Sequence, residues 1–187
     1  MYKVGELKKG LKLEIDGEPY LVVGFEFSKP GKGQAMYRCR LRNMISGVQI
    51  DRTYRSGDVF RPASLEEREM QYLYTDGHFY TFMDKKTYDQ VNMTEEQLGD
   101  DRFYLKDNQD VDILLWQERP IGITLPNFVV LRVTKTEPAA RGDTATNVTK
   151  PLTLETGYVV QGPPFIEEGE LVQVDTRTGD YVTRVKG

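Results

Sequence analysis

Apolar and polar residues alternate along most of this chain in short runs, each closed by Gly, Pro, Asp or Asn. Period-2 alternation between turn signals predicts half-buried strands, and the scarcity of i, i+3, i+4 spacing predicts almost no helix. The expected fold is all-β, built of small barrels. In a first unit, strands over 11–15 and 19–27 flank Asp16-Gly17. A strand over 35–44 then pairs through Ser46-Gly47 with one over 48–54, in a four- or five-stranded barrel. Arg61-Pro62 closes that unit, and the charged stretch 64–69 reads as a connector. A second unit starts with 70–75 and 78–83 around Asp76-Gly77, the strongest hairpin signal, because Asp-Gly favours the type I′ turn. Thr94-Glu95-Glu96-Gln97 fits a capping box for a short helix ended by Gly99. Runs 111–116 and 120–124 complete a five-stranded barrel of the oligonucleotide-binding (OB) type. A third unit repeats this rhythm over 129–136, 152–154, 158–161, 170–175 and 180–185, with a long polar loop at 137–150 of the kind that often carries function. The expected units are 1–63, 64–128 and 129–187.

Between the second and third strands of the first unit lies Ser28-Lys29-Pro30-Gly31-Lys32-Gly33-Gln34-Ala35. The arms alternate, Tyr20, Val22, Gly24 and Glu26 against Leu21, Val23, Phe25 and Phe27. Pro30 stiffens the loop, and Gly31 and Gly33 are expected to supply positive φ on either side of Lys32. That would place a cation at a hairpin tip with little to pack on. Lysine in a Gly-rich turn is also an ordinary way to keep a hairpin soluble, so local sequence alone assigns it no role. It is no Walker loop, since Gly33 follows the lysine and the glycine spacing is wrong.

Charge sharpens this picture. The chain of 187 residues carries net −4, unevenly. Residues 1–62 hold 12 Lys or Arg against 7 Asp or Glu, residues 63–129 hold 6 against 14, and residues 130–187 hold 7 against 8. A first unit at net +5 suits a phosphate backbone, and a second at net −8 is held off it. On the strand after the tip, Arg38, Arg40 and Arg42 recur at period 2 and should share one face. Three like charges there are unfavourable unless a polyanion lies nearby or carboxylates such as Glu26 offset them.

Candidates for other chemistry are few. There is one histidine, His78, expected at the start of a strand, and one cysteine, Cys39, on an apolar strand face. Neither a zinc site nor a Cys-His nucleophile has the residues it needs, so no metal or catalytic group is expected. The paired carboxylates fall in connectors and helix starts, where solvation and capping explain them. Tyr72, Tyr74, Phe79, Tyr80 and Phe82 crowd one hairpin, and core packing accounts for most of them. No apolar run approaches a membrane span and the first twelve residues are charged, so a cytoplasmic protein is expected.

Over its whole length the chain resembles bacterial elongation factor P. The resemblance rests on the tip Lys29-Pro30-Gly31-Lys32-Gly33-Gln34-Ala35, on Asp16-Gly17-Glu18-Pro19-Tyr20, Tyr72-Leu73-Tyr74-Thr75-Asp76-Gly77 and Leu125-Pro126-Asn127-Phe128-Val129, and on the final Val174-Asp175-Thr176-Arg177-Thr178-Gly179-Asp180-Tyr181-Val182. It departs from the family at two places near its end, where Leu152 stands for the usual Ala and Gly162 for the usual Val. The resemblance implies an SH3-like (KOW-like) barrel followed by two OB barrels in an L-shaped, tRNA-like arrangement. It implies a monomer binding the 70S ribosome between the P and E sites, against peptidyl-tRNA and rRNA, to relieve stalling at consecutive prolines. Lys32 matches the family's modified lysine, a target for a lysine-modifying enzyme that adds a β-lysyl group. Lys29, Pro30, Gly31, Gly33 and Gln34 would flank the tRNA acceptor end, and Gly142, Asp143 and Thr144 would approach the E-site codon of the mRNA. No cofactor is implied.

Two rivals remain at this stage. A general single-stranded RNA-binding protein would use its OB barrels on free RNA, which the acidic second unit opposes. The paralogous elongation-factor-P-like branch typically carries a different tip loop.

Overall fold

The computed structural model describes residues 1–139 and 148–187. The first sheet contains β1 (Tyr2–Lys3), β2 (Lys12–Ile15), β3 (Glu18–Ser28), β4 (Met36–Asn43), β5 (Gln49–Arg55) and β6 (Val59–Pro62), in the order β1-β6-β2-β3-β4-β5. It curls around Val4, Leu7, Leu13, Val22, Cys39, Leu41 and Phe60, the small SH3-like barrel expected. β1 and β6 were not legible as strands, being short and pairing only with partners distant in sequence.

The second sheet holds β7 (Glu66–Thr75), β8 (Phe79–Asp84), β9 (Gln90–Thr94), β10 (Asp110–Trp116) and β11 (Arg119–Thr124), with the single-turn helix α1 (Glu95–Leu98) after β9. The third holds β12 (Phe128–Thr136), β13 (Lys150–Leu154), β14 (Val159–Gly162), β15 (Leu171–Asp175) and β16 (Tyr181–Val185). Their orders, β11-β10-β7-β8-β9 and β14-β13-β12-β15-β16, are one connectivity read from opposite ends. In both, the first strand of the unit lies centrally between its second and fourth, so two chain segments without an evident sequence repeat share the five-stranded OB topology.

Three expectations need correction. The stretch 64–69 is not a free connector, because Glu66–Glu69 pair with β10 as the start of β7. Their side chains stay exposed and meet cations, Arg68 on Glu66 at 3.0 Å and Lys85 on Glu69 at 3.4 Å, so charge does not oppose the ladder. Asp76-Gly77 does not form the type I′ turn. Only Gly77 has positive φ, and the Asp76 carboxylate instead accepts from the His78 and Phe79 amides at 2.9 and 2.8 Å. His78 consequently sits in the loop, with β8 starting one residue later. Two-residue turns with positive φ at both positions are instead found at Asp16-Gly17, at 53° and 78°, and at Gln117-Glu118, at 48° and 66°.

The units are joined by built contacts. Asn43 shapes the β4–β5 turn by accepting from the Ile45 and Ser46 amides. That turn lies on α1, with Gly47 so close that an added Cβ would stand 2.6 Å from Glu96 Cβ. Thr94 and Gln97 form the expected capping box, the Thr94 hydroxyl accepting from the Gln97 amide N–H and Gln97 Oε1 from that of Thr94. The remaining Gln97 Nε2 donates to the Ile45 carbonyl at 3.0 Å and the Pro120 carbonyl at 3.3 Å. Beside this clasp Met44, Leu114 and Ile121 form a buried cluster covered by Leu21, Ile45, Leu65 and Trp116. At the other junction Tyr104, from the turn after α1, enters the core of the third unit, and Lys106 Nζ donates to the Val130 carbonyl at 2.8 Å.

Candidate functional site

β3 and β4 form the longest hairpin, with Ser28 opposite Met36 as its last pair. From Glu26 to Ser28 the strand is exposed, an extension past the barrel of about 10 Å at ~3.3 Å per residue. The β3–β4 ladder carries it there, with a bulge at Val23, opposite neither Leu41 nor Arg40. The bulge shifts the alternation by one, so the core-facing series runs Tyr20, Val22 and then Phe25, Phe27. An unbroken alternation was expected, and a bulge leaves no mark in the hydrophobic pattern because Val23 is itself apolar.

At the tip the Gly33 amide donates to the Pro30 carbonyl at 3.1 Å. Lys32 therefore sits inside a four-residue turn, and every residue from Lys29 to Gln34 is exposed. Contrary to expectation, neither Gly31 nor Gly33 has positive φ. Gly33 is needed for space, since a Cβ there would stand 3.1 Å from the Pro30 ring. Gly31 has nothing within 4 Å of where a Cβ would be. Its small size therefore serves no contact inside the described chain. Lys32 forms no ion pair among the described residues, and its side chain is exposed.

The arginines divide. Arg38 lies opposite Glu26 and Thr53, and Arg40 bonds Asp51 at 3.2 Å, both exposed on the outer face. Exposed pairs of this kind contribute about 1 kcal/mol or less, so both guanidiniums remain exchangeable. Arg42 does not share their exposure. It is half-buried against Gly99 of the second unit, in a cleft of about 470 Å³ also lined by Lys9, Asp101 and Arg177. Its Nε is buried with no hydrogen-bond partner among the described residues. The period-2 pattern placed Arg42 on the correct face, but that face is covered at its base by a neighbouring unit.

Burial pushes the nearby Asp101 carboxyl up to about 6, against the opposing pull of Arg42 and Lys12 and with the support of Asp100. Its value in the folded chain thus exceeds its unfolded value, so folding disfavours its ionisation. The resulting destabilisation is absent below about pH 4, grows through the interval up to about 6, and is complete above it. Asp101→Asn is expected to raise the urea midpoint at pH 7.5 relative to the parent chain, with the gap closing toward pH 4. A gap independent of pH would show that Asp101 is not held in this way.

Gly142, Asp143 and Thr144 lie outside the described residues. Among the described residues no group of three or more His, Cys, Asp or Glu is placed to hold a metal ion, and burial raises the Cys39 thiol pKa. No helix among them is long and apolar enough to cross a membrane. Two participants escaped the sequence reading. The amide of Gln97, recognised only as a cap, also fastens the base of the tip-bearing unit. Phe27, expected within an ordinary strand, stands 56% exposed beside the tip.

Comparison with known protein families matches three consecutive segments. Residues 3–60 match the elongation factor P KOW-like domain, 65–123 the elongation factor P OB domain and 129–184 the elongation factor P C-terminal domain. Elongation factor P 2 of Geobacter sulfurreducens is 62% identical over 187 residues, covering 100% of both chains. Elongation factor P of Desulfotalea psychrophila is 58% identical over 186 residues, and that of Carboxydothermus hydrogenoformans 46% over 185, each over 99% or more of both chains. Among solved structures, translation initiation factor 5A from Methanococcus jannaschii aligns at a TM-score of 0.43 and 27% identity, over 66% of this chain and 92% of that one.

Proposed function

The chain belongs to the elongation factor P family, a translation factor family, and on that premise we propose that it binds the ribosome between the P and E sites and stimulates peptide-bond formation at consecutive prolines. Its place of action is the cytoplasm, and it acts as a monomer. The observation that carries this reading is the exposed Lys32 cation, without an ion pair among the described residues, on a turn closed from Gly33 to Pro30 at the end of an extended hairpin. The contribution proposed for it is positional. Proline is a constrained nucleophile, and a factor that holds the acceptor end of peptidyl-tRNA in the attack geometry removes part of the entropic barrier. Lys32 would set its charge against RNA phosphate there, flanked by Lys29, Pro30, Gly31, Gly33 and Gln34, with Arg38 and Arg40 on the stalk face toward the RNA backbone. A β-lysyl extension on Lys32 would lengthen this reach, and intact mass of the protein from its native host would reveal it. Gly142, Asp143 and Thr144 are assigned to the E-site codon.

The test is purified translation of a Pro-Pro-Pro reporter. Lys32→Ala is expected to slow synthesis through the motif about tenfold, equivalent to ~1.4 kcal/mol of barrier, without changing a proline-free control. Equal stalling with the parent chain, the variant and no factor would refute the reading.

A further inference from the structure

The hairpin side that faces the core at Phe25 and Cys39 outruns that core at Phe27. Cys39 is fully buried, Tyr37 half-buried, and Phe27 56% exposed. The rings form a ladder along this side, Phe25 stacked on Tyr37 with centroids 5.9 Å apart and Phe27 tilted on Tyr37 at 5.0 Å. Tyr37 is backed in turn by the Val4–Glu6 turn, its hydroxyl 3.7 Å from where a Gly5 Cβ would stand. Phe27 is thus supported on one face and open on the other. Mutual packing explains the supported faces, but it does not explain why a large apolar ring ends the ladder in solvent, where a polar residue would serve a hairpin better.

The charges of the stalk narrow the partner. Across 26–38 and 52–55, the outer half of the three-stranded stalk, five cations accompany a single carboxylate, Glu26: Lys29 and Lys32 at the tip, Arg52 on the same side of the sheet as the ring, and Arg38 and Arg55 on the outer face. A flat apolar surface with Arg52 on its side of the sheet and the tip lysines beyond it suits a nucleotide, whose base stacks while its phosphate meets the charges. We propose that the open face of Phe27 is a stacking platform for one unpaired base of an RNA, held there by the stalk cations. This deepens the reading above and rests on it only for which RNA is met.

The test uses the full chain at low salt and an RNA stem-loop with an unpaired 3′ tail whose last base is 2-aminopurine, a fluorophore quenched by stacking. The parent chain and Phe27→Tyr, which keeps the ring, should quench it. Phe27→Leu should bind about tenfold more weakly and lose the quenching even near saturation. Lys32→Ala should weaken binding but retain quenching once saturated. Absence of quenching by the parent chain, or equal quenching by Phe27→Leu, would overturn the proposal. So would an unquenched RNA together with lost reporter activity in Phe27→Leu, an outcome that assigns the ring to a protein surface. Full reporter activity in the parent chain and Phe27→Leu alike would overturn the platform and leave the reading of Lys32 standing.

Discussion

Gln97→Glu is expected to separate the first unit from the second while leaving the helix cap in place. The substitution keeps an acceptor for the Thr94 amide, so the capping box survives. It removes both donor hydrogens of Nε2, and a carboxylate oxygen then faces the carbonyls of Ile45 and Pro120, formerly 3.0 and 3.3 Å from a donor. Each carbonyl left partnerless at this half-buried junction costs about 1–3 kcal/mol, and repulsion between like partial charges adds to it. A total of about 3 kcal/mol offsets a large part of what burying Met44, Leu114 and Ile121 contributes, at about 1.5–3 kcal/mol per side chain, and so favours the β4–β5 turn moving off α1. The measurement is available in the chain itself, because its one tryptophan, Trp116, packs on that cluster. In urea, Trp116 fluorescence and far-ultraviolet circular dichroism should change together in the parent chain. In Gln97→Glu the fluorescence should change first. Coincident transitions at an unchanged midpoint would show that Gln97 does not hold the junction. For the proposed activity, a loosened base should diminish proline-reporter synthesis even with Lys32 intact, since the tip is positioned through its own unit.

The second large effect is expected at Leu152 and Gly162. Leu152 is fully buried in the third core, and Gly162 lies two residues beyond its partner Val160 on the adjacent strand. A Cβ on Gly162 would collide with Leu152 Cδ1. The leucine therefore occupies the volume that the glycine leaves open. Leu152→Ala alone should cost about 2–5 kcal/mol through the cavity, and Gly162→Val alone about 1–3 kcal/mol through overpacking. The double substitution exchanges the two volumes and should recover most of both losses. Urea unfolding of all four chains, followed by circular dichroism, gives the coupling directly. Effects that add to within about 0.5 kcal/mol would mean that the two positions do not compensate.

Much of the architecture was legible because its causes are local. Asp16-Gly17, the Thr94–Gln97 capping box and the long hairpin each depend on residues a few positions apart, and their geometry follows from backbone chemistry. The errors occurred where a distant partner decides. Glu66–Glu69 read as a solvated connector, yet β10 supplies the ladder that makes them a strand. Arg42 read as a third exposed arginine, yet 98–101 of the next unit covers it. Gly31 and Gly33 were expected at positive φ, but the Pro30–Gly33 turn needs none, and what constrains Gly33 is the proximity of the Pro30 ring.

By itself, the sequence determined the all-β character, the succession of three barrels, the polarity of their charges, the family and the position of Lys32, since composition, alternation and turn chemistry act over short separations. Tertiary structure alone decided which of those residues remain free. The bulge at Val23 switches which residues of β3 face the core, Asp51 and the second unit take up Arg40 and Arg42 to different degrees, and the ladder under Phe27 leaves one ring face open. Exposure, pairing and reach depend on which surfaces meet after the chain has folded, and period-2 alternation contains no information about what will cover a strand's polar side.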